Sequence, residues 1–271
     1  MSFLESLIYG LISGLSEFFP ISSPAHQQLI KQLFGAQTQT PVQDLFVHIG
    51  LLVAVMFSCK TYLELGRRER YIQRRRSRHT RQPHQYDRNL VRQAAFPMLI
   101  GILALRFILN LHDTLLLSAI FLLLNGIILF IPERMIQGNK NARHMSSFDS
   151  LLIGASGALS AFCGISRIGS TYSVSVARGA AKKHALNWSI LLSLFALSML
   201  AFIDVVAIFT THTAIWPNLL SGIFSGVTAY LGGVISISIM RFIINRPATT
   251  EFSYYCWGVG LLSFVLYLTI G

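Results

Sequence analysis

The chain has 271 residues, of which 53% are hydrophobic and 12% charged, with a mean hydropathy of +0.56. That balance excludes an ordinary soluble domain and makes a bilayer the natural solvent. A net charge of +11 would suggest a nucleic-acid partner in a soluble chain, but nearly all of it lies between apolar segments, where contact with anionic headgroups accounts for it, so membrane lipids and no nucleic acid are expected.

In chain order, Phe3 to Phe34 is apolar at both ends and broken by Glu17, Pro20, Ser22, Ser23, Pro24 and His26, which reads as a re-entrant hairpin (3–34). It carries Glu5, no basic leader and no convincing cleavage site, so removal as a signal peptide is not expected. A span follows from Leu45 to Cys59. Between Lys60 and Arg92 eleven Lys or Arg stand against Glu64, Glu69 and Asp87, which predicts a basic cytoplasmic loop (60–92). Spans from Ala94 to Leu111 and Leu115 to Pro132 complete a first half, 1–132, each near the roughly 20 residues that a hydrocarbon core requires.

A connector (133–149) with Arg134, Lys140 and Arg143 returns to the cytoplasmic side. A single span from Leu151 to Ala181 would place Arg178, Lys182 and Lys183 outside, whereas a second re-entrant hairpin (150–181) keeps them inside, so charge favours the hairpin. Spans from Leu186 to Thr210, Leu219 to Met240 and Phe252 to Ile270 then keep Arg241 and Arg246 inside and put the C-terminus outside. The predicted fold class is an all-α integral membrane protein with six spans and two hairpins. Cys59, Cys163 and Cys256 lie in apolar segments without metal-ligand spacing and read as packing residues.

The two hairpins repeat at an offset of 144, with Leu7/Leu151, Gly10/Gly154, Leu15/Leu159, Ser16/Ser160, Phe18/Phe162, Ile21/Ile165 and Ser22/Ser166 identical among sixteen positions. Each hairpin is followed by three spans, so the second half (150–271) enters from the opposite face and the repeat is inverted. Discontinuous helices of such repeats meet near the bilayer midplane and present their unwound ends to a ligand.

Two breaks carry candidate chemistry. In the first, Ser13-Gly-Leu-Ser-Glu-Phe-Phe-Pro-Ile-Ser-Ser-Pro-Ala-His26, ionisable groups stand where burial makes them costly, and the prolines free backbone N–H groups beside them. In the second, Cys163-Gly-Ile-Ser-Arg-Ile-Gly-Ser-Thr171, Arg167 offers paired donors at a helix start. Ser166, Ser170 and Thr171 add hydroxyls, while Gly164 and Gly169 admit an anion to backbone amides. Arg167 holds a phosphate, neutralises Glu17, or does both in turn. Elsewhere Arg106 reads as a snorkelling side chain, Asp204 as a partner of another helix, His48 as a lining residue, and the small residues from Ser221 to Ser238 as helix packing.

These breaks resemble the signatures of the bacitracin-resistance type undecaprenyl pyrophosphate phosphatases, E-G-x-x-E-F-x-P-x-S-S-T-G-H and P-G-x-S-R-S-G-x-T. Length, the large first loop and the order of elements are similar as well. The resemblance implies an enzyme of the bacterial cytoplasmic membrane that removes the terminal phosphate from a C55 isoprenoid pyrophosphate. Glu17, Ser23, His26 and Arg167 would be catalytic, and Ser22, Ser166, Arg167, Gly169, Ser170 and Thr171 would bind phosphate. Ser23 or His26 attacks phosphorus, or His26 orients a water, with Glu17 as general base or as a ligand to Mg²⁺ or Ca²⁺. The chain departs from the signatures at Ser13 for the first glutamate, Pro24-Ala25 for Thr-Gly, Cys163 for the leading proline and Ile168 for the serine after arginine. A polyprenyl-phosphate transporter of the same fold is the alternative. The oligomeric state is left open, a dimer among the options.

Overall fold

The computed structural model describes residues 3–34, 40–60, 62, 64, 83–108, 114–244 and 248–270. Residues 65–82, which hold the arginine-rich run, the turn at His112 and Asp113, and Arg246 lie outside them, as does the side chain of Arg106.

The described residues form ten α-helices: α1 (Phe3–Phe18), α2 (Ser23–Phe34), α3 (Pro41–Ser58), α4 (Pro83–Ile108), α5 (Leu115–Arg134), α6 (Ser147–Ala158), α7 (Arg167–Ala177), α8 (Lys182–Thr210), α9 (Ile215–Ile243) and α10 (Ala248–Ile270). Their starts follow local chemistry. Thr40 and Gln43 form a capping box with Pro41 opening α3, Thr114 caps α5, and Ser146 with Asp149 forms a second box at α6.

Among the described residues five helices are long and apolar enough to cross a bilayer: α3, α5, α8, α9 and Thr250–Thr269 of α10. The sixth predicted span lies on α4 and runs past Ile108 out of the described residues. By contrast α1, α2, α6 and α7 have 16, 12, 12 and 11 residues. They reach only about 16–24 Å, short of a core of roughly 30 Å. Phe96, Phe202 and Phe242 are 70%, 67% and 72% exposed, an apolar surface that only lipid would cover without penalty.

Packing relies on small residues. α1 lies along α9, where a Cβ on Gly10 or Gly14 would collide with the Ser225 or Ala229 carbonyl; Gly50 of α3 meets Gly226 on the same helix. The Ser225 and Ser236 hydroxyls reinforce this seam by donating to the carbonyls of Ser6 and Gly14, each at 3.0 Å. α3 also packs on α8, α5 on α10, and α6 on α4. The α6–α7 segment returns to its starting level, because Arg178 beyond α7 donates to Asp149 at the start of α6 at 2.5 Å.

Candidate active site

The first break begins where α1 ends at Phe18, directly after Glu17, because Pro20 supplies no N–H to continue the helix. The chain turns through Ser22 at φ +67°, and Pro24 sits in the opening turn of α2. In the second break α6 tightens into a 3-10 turn at Leu159–Ala161, Gly164 takes φ +121°, and Ser166 caps α7 by accepting from the Gly169 N–H at 3.1 Å. Arg167 is thereby fixed as the first residue of α7.

Three contacts join the breaks across the molecule. Arg167 donates to the Glu17 carboxylate in an ion pair between side chains 6% and 14% exposed. The left-handed backbone at Ser22 is held in place as its hydroxyl accepts the Gly164 N–H at 3.1 Å. From α5, the Asn125 amide donates to the Pro20 carbonyl and accepts from the Ser166 N–H, both at 2.9 Å.

These contacts border a cavity of about 200 Å³ lined by Glu17, Ser22, Ser23, Ser166 and Arg167 from the two breaks. Tyr9 of α1, Asp44 and His48 of α3, and Asp204 of α8 line it as well. Tyr9 donates to Asp44, and His48 Nδ1 lies 2.5 Å from the Asp204 carboxylate. Arg167 Nε is buried without a hydrogen-bond partner, so the guanidinium keeps a donor for an incoming anion while Glu17 balances its charge.

The predicted residues divide. Glu17, Ser22, Ser23, Ser166 and Arg167 meet at the cavity. His26 does not line it: Nδ1 lies 2.8 Å from the Ser22 carbonyl, Nε2 lies 2.9 Å from the Tyr255 hydroxyl, and the two rings stack. Ser170 and Thr171 turn their hydroxyls back onto the Arg167 carbonyl, Thr171 also reaching Ser189 at 2.8 Å, and Gly169 serves the Ser166 cap. These three shape the helix start that carries Arg167. Asp204 and His48, single residues in the sequence, form one pair at the cavity wall. Tyr9, Asp44, Gln27 and Asn125 join the site or its supports without any motif to mark them.

Ser13 is fully buried, donating to the Tyr9 carbonyl at 2.6 Å and accepting from Gln27 at 2.8 Å. It leaves Glu17 as the single motif carboxylate. Among the described residues no three His, Cys, Asp or Glu side chains group closely enough to hold a metal ion. Glu17, Asp44 and Asp204 are each engaged, by Arg167, Tyr9 and His48. This donor set does not fit a hard divalent cation, which favours several oxygen ligands at once.

Residues 6–262 match the family described as bacitracin resistance protein BacA. Curated relatives of the same length include the undecaprenyl-diphosphatase of Halothermothrix orenii, 27% identical over 274 residues that cover 98% of each chain. That of Syntrophotalea carbinolica is 29% identical over 274 residues, covering 98% of this chain and 99% of its own. The undecaprenyl-diphosphatase of Methanosphaera stadtmanae is 30% identical over 277 residues, covering 98% of both. With a match that runs through both breaks and nearly the whole chain, this multi-pass membrane protein belongs to the bacitracin resistance protein BacA family.

Proposed function

We propose that the chain is a membrane phosphatase that hydrolyses undecaprenyl diphosphate to the lipid monophosphate and inorganic phosphate in the cavity between the two breaks. One observation carries the site assignment: Glu17 and Arg167, 150 residues apart, meet at a cavity bordered by both interrupted helices. At about 200 Å³ it is smaller than the roughly 300–1,000 Å³ of pockets that enclose a drug-sized ligand, so it suits a head group and leaves an isoprenoid tail among lipids.

In this reading the pyrophosphate enters as the Glu17–Arg167 pair opens, and Arg167 takes up phosphoryl oxygens through Nε and the nitrogen released from Glu17. Ser23, at the start of α2, supplies a further hydroxyl at the cavity. Donors held in advance stabilise the charge that spreads over the transferred phosphoryl group, so positioning does most of the catalysis. The attacking group is a water, because both His26 nitrogens are engaged away from the cavity and the Ser23 hydroxyl is shared with Gln27 and the Ser13 carbonyl.

The cavity is read as opening on the outer side of the cytoplasmic membrane. His48, Ile102 and Asp204 lie in the halves of α3, α4 and α8 remote from Lys60, Arg92 and Lys182, the basic ends that the sequence assigns to the cytoplasm. The inverted arrangement of halves is supported by the packing, since α3 meets α8 and α5 meets α10, each the counterpart of the other in a five-helix repeat, and α1 on α9 matches α6 on α4.

Release of inorganic phosphate from farnesyl or undecaprenyl diphosphate by the purified protein tests the reading. Glu17→Ala and Arg167→Ala should each lower it by about 10²–10³-fold. Lipid movement in vesicles without phosphate release would favour the transporter instead.

A further inference from the structure

Hydrolysis of a diphosphate needs one proton moved. The departing lipid monophosphate is a stable anion and requires none, whereas the entering water must lose a proton as its oxygen bonds to phosphorus. Two of the motif positions are poorly placed to take it: His26 is turned away from the cavity, and a serine occupies the position of the first motif glutamate.

His48 is placed differently. It lines the same cavity as Glu17 and Arg167, and its side chain remains 20% exposed. Asp204, 14% exposed, approaches its Nδ1 at 2.5 Å from α8, and Nε2 has no hydrogen-bond partner among the described residues. A carboxylate on Nδ1 holds the N–H there, leaves Nε2 as acceptor and stabilises the imidazolium once it forms. Tyr9 and Glu17 face this pair from α1, Asp44 from α3 itself and Arg167 from α7.

We infer that His48, oriented by Asp204, is the general base of the reaction, an assignment that rests on the hydrolytic reading above. The water oxygen bonds to the terminal phosphorus while the bridging P–O bond breaks, and the electrons of that bond leave with the lipid monophosphate. The water proton passes to His48 Nε2 and then to solvent. Asp204 acts through His48 and is a positioning residue.

Phosphate release from farnesyl diphosphate by the full-length protein in detergent tests this with His48→Ala, His48→Gln and Asp204→Asn. His48→Ala should lower kcat by about 10²–10⁴-fold with KM within about threefold, and added imidazole should restore part of the rate. His48→Gln, which keeps a polar side chain but cannot take the proton, should be equally slow and gain nothing from imidazole. Asp204→Asn should lower kcat without changing KM, and Asp204→Glu should recover part of it. His48→Ala within threefold of wild type, or slow but folded and not rescued by imidazole, overturns the assignment. If His48→Ala does not fold, near-normal turnover by His48→Gln overturns it instead. Silence of the wild type removes hydrolysis and base together, whereas an active wild type beside an active His48→Gln removes only the base.

Discussion

Arg167 reaches its position because Ser166 caps a helix directly before it, and its Nε stays unpaired because Glu17 meets the guanidinium at Nη2. Arg167→Lys would retain the charge but lose the planar pair of donors. It should lower phosphate release by about 10²-fold while leaving the melting temperature near wild type, measured on the same preparation. Glu17 and Arg167 were legible in the sequence because an ionisable group inside an apolar segment is costly without a purpose. Asp44 was not: in the first turn of α3, beside Thr40 and Pro41, it reads as an ordinary helix-start acid. Ser13 was legible as a departure, but its bond to Gln27 was hidden because fourteen residues and a chain reversal separate them.

Between elements, the pair Asp149–Arg178 closes the α6–α7 segment at its base. Burial opposes ionisation of Asp149, yet the Ser146 N–H, the Arg178 guanidinium and the Ser146 hydroxyl outweigh it and hold the carboxyl below its usual range. A depressed folded value means that this contribution is present above the unfolded pKa, near 4, and fades as pH falls through the folded one. Asp149→Asn keeps an acceptor for the cap but removes the charge. With Arg178 42% exposed, it should cost at most about 1 kcal/mol at pH 7, and the gap in melting temperature should close below about pH 4. The helices themselves were largely legible, because long apolar stretches and Ser/Thr caps mark them locally. Which helices touch was not, since the seam of α1 on α9 depends on glycines and serines more than 200 residues apart.

At the scale of the whole molecule, the contact between the breaks runs through Asn125, a residue to which the sequence assigns no role, while His26 faces α10. The motif histidine secures α2 to α10 through Tyr255, whereas a lone amide in an apolar helix binds both breaks. The sequence could reveal that each break is polar but not that a third element ties them, because Asn125 belongs to neither signature. Asn125 therefore works as a rivet through two plates: neither break can loosen while the other stays closed. In hydrogen–deuterium exchange the amides of Gly164 and Ser166 should open in one event with those around Ile21, at a single rate set by a shared excursion. Asn125→Leu, similar in size but unable to bond, should split that event in two and speed both, showing that the two floors of the cavity had been one mechanical part.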